Sequence, residues 1–559
     1  MTDYPKLDDD NFQKKILKKF NKYKIIKQAS FKDTCFPKKW TYQLPQLFVS
    51  QFINPSTPYK GLLVYHKIGA GKTCAAVQIA EQWKGKRNII FSCPASLITN
   101  FYKELKSGCT GDSYISQKDK ELLNKLDPED DKVLDIHEKA EKIIDKYYTI
   151  LSYNKLVSQL KKKKIDLNNS IIIIDEVQNI VSENGTMYKT IYDAIHKASS
   201  NLRVVLLSAT PIFDKPSELA LTMNLLRPKE ELPTGSEFNE MFIKTQLSTK
   251  INKYEIQNKD ILSDYLNGYI SYYQGAPDYT FPERIEKIIK CPMSKYQYNC
   301  YKTVEESEGG FADANDIFKM PNNFLLGSRM ISNIAFPNKY ANEQGYNAFT
   351  KNHMSLENLS NYSSKFSYLM NKILSKSGLH FVYSNFKSYA GIKTITKILK
   401  YHGYKNYSKD GPGKLRYAIW SGDESIQEKE MIRNVFNHPD NVNGSKIKII
   451  IGSPAIKEGV TLLRVKYVHV LEPYWNMSRY EQVIGRAIRF CSHKDIEKDK
   501  RKVKVYLYLA TPPEDILKKD KNISTVDEHI LKLALRKKQI IDQFETVIKE
   551  SAVDYYLNQ

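Results

Sequence analysis

A chain of 559 residues is too long to fold around one hydrophobic core, and its length favours three or four domains. With 41% hydrophobic residues it can bury enough apolar surface to be mostly globular, which excludes a largely disordered protein. The excess of 85 Lys and Arg over 63 Asp and Glu gives a net charge of +22, which favours a polyanionic partner such as nucleic acid over a merely basic surface.

The chain opens with a basic lead-in, residues 1–40, in which lysines recur at helical spacing. A solvated helix face explains this pattern better than a dedicated binding arm. A short helix is predicted next, from Leu47 to Ile53, and Gln46 stands just before it. The Gln46 amide has both a donor and an acceptor, so it could read the edge of an adenine base.

The strongest signal is a glycine loop between a predicted strand and a predicted helix. Its glycines let backbone N–H groups turn onto phosphate oxygens, at the positive end of the helix dipole. This is the context of a phosphate-binding loop, in which Lys72 would reach the β- and γ-phosphates of ATP and Thr73 would bind Mg²⁺. The predicted nucleotide-binding residues are Gln46, His66, Lys67, Ile68, Gly69, Ala70, Gly71, Lys72 and Thr73.

One residue of this loop departs from the usual pattern, because His66 stands where the first glycine is expected. The tight core from Gly69 to Thr73 is intact, so we expect phosphate binding to be retained. The alternative interpretation is a chance glycine turn before a helix.

Three further apolar runs predict strands of the same sheet, and the third ends in two carboxylates. These runs are residues 88–93, 148–152 and 170–174, and the last has four consecutive isoleucines, typical of a strand buried on both faces. Asp175 and Glu176 follow at its carboxyl end, where ligands bind in open α/β sheets. We expect Asp175 to hold Mg²⁺ and Glu176 to orient or deprotonate the attacking water.

Residues 203–208 predict one more buried strand, and small hydroxyl residues follow it that could couple the nucleotide site to a neighbouring surface. Residues 41–228 are therefore predicted to form an ATP-binding domain. Residues 229–365 lack the alternation of strands and helices and are rich in Tyr, Asn and Lys, which predicts a largely helical insert.

A second α/β domain is predicted over residues 366–512, because strands again alternate with helices there. It has no phosphate loop of its own. Gln482, Arg486 and Arg489 recur at spacings of four and three, so they are predicted to share one face of a helix. Their expected partner is the γ-phosphate held by the first domain, with the arginines acting as arginine fingers. A solvated basic helix face is the alternative.

The tail, residues 513–559, is predicted to be a helical brace. Thr525 and Glu528 have the spacing of a capping box, and an amphipathic helix follows. Core packing explains that helix without a further function.

The seven cysteines are scattered and include no Cys-x-x-Cys pair. This pattern argues against a zinc site or a disulfide framework and for a reducing compartment. The polar, lysine-rich N-terminus has no apolar signal core, and no apolar run approaches the length of a membrane span, so no membrane partner is expected.

Four motifs in order carry a family resemblance: Gly-Ala-Gly-Lys-Thr at 69–73, Asp-Glu-Val-Gln at 175–178, Ser-Ala-Thr-Pro at 208–211 and Gln-x-x-Gly-Arg-x-x-Arg at 482–489. Together they resemble superfamily 2 helicases and translocases. Gln46, the segment 93–97 and Trp475-Asn476 are similar to the Snf2-like branch. The tail and the segment 489–493 are similar to helicases of large cytoplasmic DNA viruses, such as the poxvirus nucleoside triphosphatase I and the early transcription factor small subunit.

The resemblance implies two tandem RecA-like parallel-sheet domains that use ATP and Mg²⁺ to act on nucleic acid. It implies a helicase or DNA translocase in viral transcription, with a multisubunit RNA polymerase or transcription factor as a partner, in the host cytoplasm or the virion. Gln178 departs from the family pattern, which usually has histidine there, and is expected to keep a polar contact to the second domain. Motif position makes Ser96, Thr210, Asn385, Gly459 and Thr461 the expected nucleic-acid contacts.

Two rival functions stay open. The first is an RNA helicase that separates strands, although DNA is favoured over RNA. The second belongs to another class, an ATP-binding scaffold for transcription or packaging. Lys72, Glu176 and Arg486 count against the scaffold, since a scaffold does not need all three.

Overall fold

The computed structural model describes residues 4–25, 30–38, 40–67, 69–123, 125–126, 130–246, 253–310, 323–457 and 460–558. The chain forms two compact units. The first comprises Met1–Pro277 together with Gln539–Gln559, and the second comprises Asp278–Lys538. The unit boundaries thus lie inside the segments predicted as insert and brace.

The first unit is built on a parallel sheet of six strands. The described strands of the whole unit, six of which form this sheet, are β1 (Gly61–His66), β2 (Asn88–Cys93), β3 (Tyr148–Ser152), β4 (Ser170–Asp175), β5 (Arg203–Ser208), β6 (Ile243–Gln246), β7 (Lys253–Ile256) and β8 (Ile270–Tyr273). The sheet order is β3-β2-β4-β5-β1-β8, and every neighbouring pair is parallel. All six residues of β4 are buried, as expected for an isoleucine-rich strand covered on both faces.

Helices surround this sheet and supply the rest of the first core. They are α1 (Phe12–Phe20), α2 (Phe31–Cys35), α3 (Leu44–Phe52), α4 (Lys72–Glu81), α5 (Ile98–Leu105), α6 (Gln117–Leu123), α7 (Asp131–Ile144), α8 (Tyr153–Lys161), α9 (Thr186–Lys197), α10 (Glu218–Asn224), α11 (Gly235–Phe242) and α12 (Lys259–Leu266). The basic lead-in is not only a solvated face, because Phe12, Ile16 and Phe20 of α1 are buried in this core.

The second unit is built on a parallel sheet of seven strands. These are β9 (Glu283–Pro292), β10 (Leu379–Tyr383), β11 (Lys405–Asn406), β12 (Arg416–Trp420), β13 (Ile449–Gly452), β14 (Val465–Val470) and β15 (Lys502–Thr511). Their order is β11-β12-β13-β10-β14-β15-β9, again with parallel neighbours throughout. The prediction of two parallel-sheet domains of RecA-like type is confirmed.

The helices of the second unit cover its sheet and form three apolar clusters with it. They are α13 (Lys295–Ser307), α14 (Leu326–Asn333), α15 (Glu343–Ala348), α16 (Leu356–Tyr362), α17 (Ser364–Ser375), α18 (Ile392–Tyr401), α19 (Tyr407–Asp410), α20 (Ile426–Phe436), α21 (Met477–Ile484), α22 (Glu514–Lys519) and the first half of α23 (Val526–Glu550). Among the described residues, no helix combines the length and apolar character needed to span a bilayer.

The predicted insert contains strands as well as helices. Strands β6 and β7 form a small antiparallel pair, β8 extends the first sheet beside β1, and β9 extends the second sheet beside β15. Six helices, α11 to α16, lie wholly within the described part of the same segment. A largely helical description therefore misses the two edge strands that complete the sheets.

The predicted capping box at the start of α23 is present. The Thr525 backbone N–H donates to Glu528 Oε2 at 3.1 Å, and the Glu528 N–H donates to Thr525 Oγ1 at 3.4 Å. A buried ion pair lies beside it, with Lys365 Nζ 2.5 Å from Asp527 Oδ2. The start of this helix is therefore held by its capping hydrogen bonds and by the neighbouring ion pair.

Cys74 of α4 is joined to Cys109 in a disulfide, with their Cα atoms 5.8 Å apart. The cysteine pattern argued against a disulfide framework, and this single pair departs from that expectation. The fold packs the short 3₁₀ segment Gly108–Thr110 against α4, where Gln78 donates to the Cys109 carbonyl oxygen, and spacing along the chain does not reveal that packing.

Two histidines form a buried hydrogen-bonded chain in the second sheet. His380 Nδ1 on β10 lies 3.0 Å from His469 Nε2 on β14, and the Tyr508 hydroxyl lies 2.8 Å from His469 Nδ1. Burial lowers the pKa of His380 to about 3 and lowers the pKa of His469 well below its ordinary value. Both rings are therefore neutral in the folded protein at neutral pH.

We expect the second domain to lose stability as the pH falls below about 6.5. Unfolded histidine binds a proton near that pH, whereas folded His380 stays neutral down to about pH 3, so the unfolded state binds more protons in this window. Each such histidine lowers the free energy of unfolding by about 1.4 kcal/mol per pH unit. Urea unfolding monitored at several pH values between about 7.5 and 5 measures the slope.

The variant His469→Gln isolates this effect. It should make the slope shallower by about 1.4 kcal/mol per pH unit, since unfolding then takes up one proton fewer. His438→Gln, at an exposed position, is the matched control and should leave the slope unchanged. Equal slopes in the wild type and His469→Gln would contradict the prediction.

Candidate functional site

The predicted phosphate-binding loop connects β1 to α4. Gly69 and Gly71 have φ angles of 84° and 63°, in the region that favours glycine. A Cβ atom at Gly71 would also lie 2.3 Å from Nε2 of Gln46, so only glycine fits there. The N-cap residue of α4 is Gly71, which has no side chain to cap the helix start at Lys72. The loop therefore combines a tight turn with a helix N-terminus that can receive phosphate oxygens.

Gln46 shapes this loop from the first turn of α3, which begins earlier than predicted. Its Nε2 donates to the carbonyl oxygens of Ala70 at 3.3 Å and Gly71 at 3.2 Å, and its Oε1 accepts from the Gln43 N–H at 2.9 Å. Both amide hydrogens are thus used on the loop. In this arrangement Gln46 holds the loop, and its contact with an adenine edge stays a prediction.

The two residues that open the loop are fixed by side-chain contacts. His66 is fully buried, and its Nε2 lies 2.9 Å from the Ser271 hydroxyl on β8. Burial lowers the pKa of His66 to about 3, so the ring is neutral. Lys67 Nζ lies 3.2 Å from Glu545. Ile68 lies outside the described residues.

The acidic pair lies at the carboxyl end of β4, next to Lys72. The Glu176 N–H donates to Asp175 Oδ1 at 2.9 Å. Burial is the largest influence on Asp175 and raises its pKa to about 7; the Glu176 charge also raises it, and the Lys72 charge opposes both. Lys72 is therefore close enough to Asp175 for their charges to interact, as a shared nucleotide site requires.

These residues fit ATP and Mg²⁺. Thr73 lies in the first turn of α4, and Asp175 offers a buried carboxylate beside Lys72. A hydroxyl and a carboxylate are ligands that Mg²⁺ prefers, and a bound dication would favour the charged form of Asp175. The uncapped helix N-terminus and Lys72 would hold the phosphates, so bound ATP would present its γ-phosphate to the acidic pair.

Glu176 is held in an unusual backbone conformation. Its φ is 54°, in the left-handed region that a non-glycine residue adopts only when its surroundings enforce it. The Tyr153 hydroxyl enforces it by donating to the carbonyl oxygens of Asp175 and Glu176. The Gln178 amide donates to Glu176 Oε2 at 2.6 Å, which fixes the carboxylate itself. Apart from its place after β3, nothing in the sequence pattern pointed to Tyr153.

A hydrogen-bonded relay leads from Glu176 to Thr210. Gln178 accepts from the Ser208 hydroxyl at 2.7 Å, and Ser208 Oγ accepts from the Thr210 N–H at 2.9 Å. Within the described residues the buried Thr210 Oγ1 has no hydrogen-bond partner. Gln178 was expected to contact the second domain, but its contacts among the described residues join it to Glu176 and Ser208 of the first unit. The relay joins the predicted catalytic base to a predicted nucleic-acid contact.

The arginine motif lies beyond the end of a helix. Helix α21 ends at Ile484 and Gly485 caps it, so Arg486 and Arg489 lie in the turns that follow. The prediction that Gln482, Arg486 and Arg489 share one helix face is therefore wrong. Arg486 Nε donates to the Gln482 carbonyl oxygen at 3.1 Å, which folds its side chain onto the helix end. All three side chains are half-buried.

Asn385 follows β10 and is positioned by a buried glutamate that the sequence did not single out. The Asn385 N–H donates to Glu472 Oε2 at 2.7 Å, and the Ser384 hydroxyl donates to Glu472 Oε1 at 2.7 Å. Burial raises the pKa of Glu472, and the Lys365 charge opposes that rise. A carboxylate at the end of an apolar strand, as in Val470-Leu471-Glu472, was the available signal.

The other predicted nucleic-acid contacts lie in segments that connect strands to the elements around them. Ser96 is exposed in the 3₁₀ segment after β2. Thr461 precedes β14, is half-buried, and its carbonyl oxygen accepts from Asn437 at 2.7 Å. Gly459 lies outside the described residues. Each unit thus presents polar groups at the carboxyl edge of its sheet, where ligands bind in such folds.

Two family models match the chain. Residues 39–346 match the model described as the SNF2-related domain. Residues 364–491 match the model described as the helicase conserved C-terminal domain. The first match contains the whole first sheet, and the second contains strands β10 to β14 and the arginine motif.

Viral proteins are among the similar sequences. The chain is 47% identical over 554 residues to R563 of Acanthamoeba polyphaga mimivirus, a protein provisionally named as an ATP-dependent RNA helicase, covering 99% of this chain and 96% of that protein. It is 25% identical to a termination factor NPH-I homolog of African swine fever virus, covering 96% of this chain and 83% of that protein. A solved structure of S. cerevisiae Dbp5 bound to RNA and ADP BeF3 aligns at 12% identity with a TM-score of 0.40, covering 99% of this chain and 100% of that one.

Proposed function

The chain belongs to the family of SNF2-related helicases, and from that premise we propose that it is a motor that couples ATP hydrolysis to movement along DNA. Its family makes it an ATP-dependent helicase or translocase that binds nucleic acid. The observation that carries the finer proposal is the relay from Glu176 through Gln178 and Ser208 to Thr210. It connects the predicted catalytic base, through two side chains, to a residue that we predict to contact nucleic acid.

The chemistry we propose is Mg²⁺-assisted attack of water on the γ-phosphate. Lys72 and the loop N–H groups would hold the phosphates, while Thr73 and Asp175 would hold Mg²⁺, which would offset the charge of the phosphate oxygens. Glu176 accepts the proton of the attacking water, because Gln178 and Tyr153 fix it in one orientation. The products are ADP and phosphate.

Arg486 and Arg489 stabilise the charge that develops on the γ-phosphate when the domains close around ATP. Gln482 supports Arg486 through its carbonyl oxygen. Hydrolysis removes the γ-phosphate that the arginines contact, so the domains reopen. Nucleic acid bound by Ser96, Thr210, Asn385, Gly459 and Thr461 is then held differently in the two states, and repeated cycles move the motor. Contacts to phosphates make this grip insensitive to sequence and sensitive to salt.

Viral transcription is the process we propose for this motor. The African swine fever virus relative is named a termination factor homolog, which supports a role beside a viral multisubunit RNA polymerase in the host cytoplasm or virion. The mimivirus relative is named an RNA helicase, which favours the alternative that this chain separates RNA strands. The SNF2-related match favours DNA.

A triplex-displacement assay separates these two functions. A third DNA strand seated on a duplex is released by translocation, without separation of the duplex strands. We expect ATP-dependent release of the third strand and no unwinding of an RNA duplex. Unwinding of RNA without triplex release would favour the RNA helicase. ATP binding without hydrolysis on any nucleic acid would favour the scaffold.

A further inference from the structure

The last residues of the chain belong to the first unit and lie on the strand next to the phosphate-binding loop. The Val553 N–H donates to the Ile270 carbonyl oxygen of β8 at 2.7 Å, and Asn558 Nδ2 donates to the Tyr272 carbonyl oxygen at 2.7 Å. Ile548, Val553 and Leu557 are at most 1% exposed. Residues 539–558, which we call the C-terminal segment, are therefore part of the nucleotide-binding unit.

β8 joins this segment to the loop. It pairs with β1 so that Tyr272 lies opposite Tyr65, and the Lys67 N–H donates to the Tyr273 carbonyl oxygen at 3.0 Å. A displacement of β8 would therefore also displace the end of β1 and the start of the loop. The C-terminal segment covers this edge strand and holds it in place.

One contact from the segment reaches the first loop residue through a serine. Asp554 is 1% exposed, and its Oδ2 accepts from the Ser271 hydroxyl at 2.6 Å while its Oδ1 accepts from the Tyr272 N–H at 2.8 Å. Since the Ser271 proton is directed to Asp554, its oxygen accepts from His66 Nε2–H at 2.9 Å. Asp554 thus selects the tautomer of His66, the residue that replaces the usual glycine.

A second contact reaches the next loop residue directly. Lys67 Nζ lies 3.2 Å from Glu545 Oε2, and Lys549 Nζ lies 3.3 Å from the same oxygen. The Glu545 side chain is 13% exposed, so this ion pair is partly shielded from solvent. Burial raises the pKa of Glu545, but the charges of Lys67 and Lys549 outweigh burial and lower it overall. Glu545 is ionised at neutral pH.

We propose that Glu545 and Asp554 are positioning residues of the ATP site, which hold the phosphate-binding loop ready for nucleotide through Lys67 and His66. The inference rests on the proposed function. A loop whose N–H groups are already arranged binds phosphate without a further ordering cost, so losing an anchor should weaken ATP binding more than it slows the bound reaction. A helix that only packs against the core would change stability alone.

The test is Glu545→Gln in the full-length chain, which keeps the side-chain size and removes the charge. We expect the Kd and KM for ATP to rise about fivefold, with kcat changed less than about twofold. Glu550→Gln, an exposed position on the same helix, is the matched control and should change neither constant. Thermal melting of each variant shows whether the fold is intact.

Charge exchange distinguishes positioning from packing. Lys67→Glu alone should weaken ATP binding, and Lys67→Glu combined with Glu545→Lys should recover part of it, because the ion pair is restored. If Glu545→Gln does not fold, Glu545→Asp carries the test, since it keeps the charge but shortens the side chain that reaches Lys67.

Three outcomes would decide the matter. A raised Kd with rescue by charge exchange supports the inference. An unchanged Kd in folded Glu545→Gln, with wild-type protein binding ATP, overturns the inference and leaves the proposed function in place. Absence of ATP binding in the wild type overturns the proposed function itself, and the inference with it.

Discussion

Replacing Glu176 with Gln should slow ATP hydrolysis by about 10²- to 10⁴-fold while ATP binding stays within about twofold of the wild type. The amide cannot accept the proton of the attacking water. It keeps the size of the side chain and can still bond to Gln178, so the site should stay assembled. Single-turnover hydrolysis measures the chemical step, and titration with a fluorescent ATP analogue measures binding.

The control for this variant is Glu240→Gln, at an exposed position of the same unit, which should hydrolyse ATP at the wild-type rate. If Glu176→Gln keeps more than about a tenth of the wild-type rate, another group removes the proton and the assigned base is wrong. A loss of ATP binding together with activity would instead show that Glu176 supports the loop.

The second large effect concerns the arginine motif. Arg486→Ala and Arg489→Ala should each reduce the hydrolysis rate by about 10³-fold or more, the effect expected from loss of an arginine finger. Because their partner is charge that develops during the reaction, ATP binding should change far less than the rate. Single-turnover kinetics beside equilibrium binding separates the two.

Lysine should not replace either arginine fully, because its single ammonium lacks the planar fork that bonds two phosphate oxygens at once. Lys498→Ala, at an exposed position in the same unit, is the control and should hydrolyse normally. Rates within about tenfold of the wild type for both alanine variants would mean that these arginines do not act on the γ-phosphate.

Much of the fold could be predicted because its strongest signals are local. Four isoleucines before Asp175 identify a central strand, and β4 is buried throughout. The glycine loop stands between a strand and a helix in the structure as in the prediction. The start of α23 follows from Thr525 and Glu528, because a capping box involves residues only three positions apart.

The rest depends on contacts between residues far apart in the chain. Lys67 and Glu545 are 478 positions apart, and Ser271 and Asp554 are 283 apart, so no local pattern reveals either contact. β8 has only four residues, and it is a strand of the sheet because it pairs with β1, not because of its own composition. The helical spacing of the arginine motif predicted a longer α21 than the structure has, because Gly485 ends the helix before the arginines.

The measurement that tests the central claim most directly is the ATPase rate without nucleic acid and with single-stranded DNA, duplex DNA or RNA, beside Glu176→Gln. We expect duplex DNA to stimulate hydrolysis strongly and the variant to abolish it under every condition. Stimulation mainly by RNA would contradict the assignment of DNA as the track. A rate that no nucleic acid changes would contradict the motor itself.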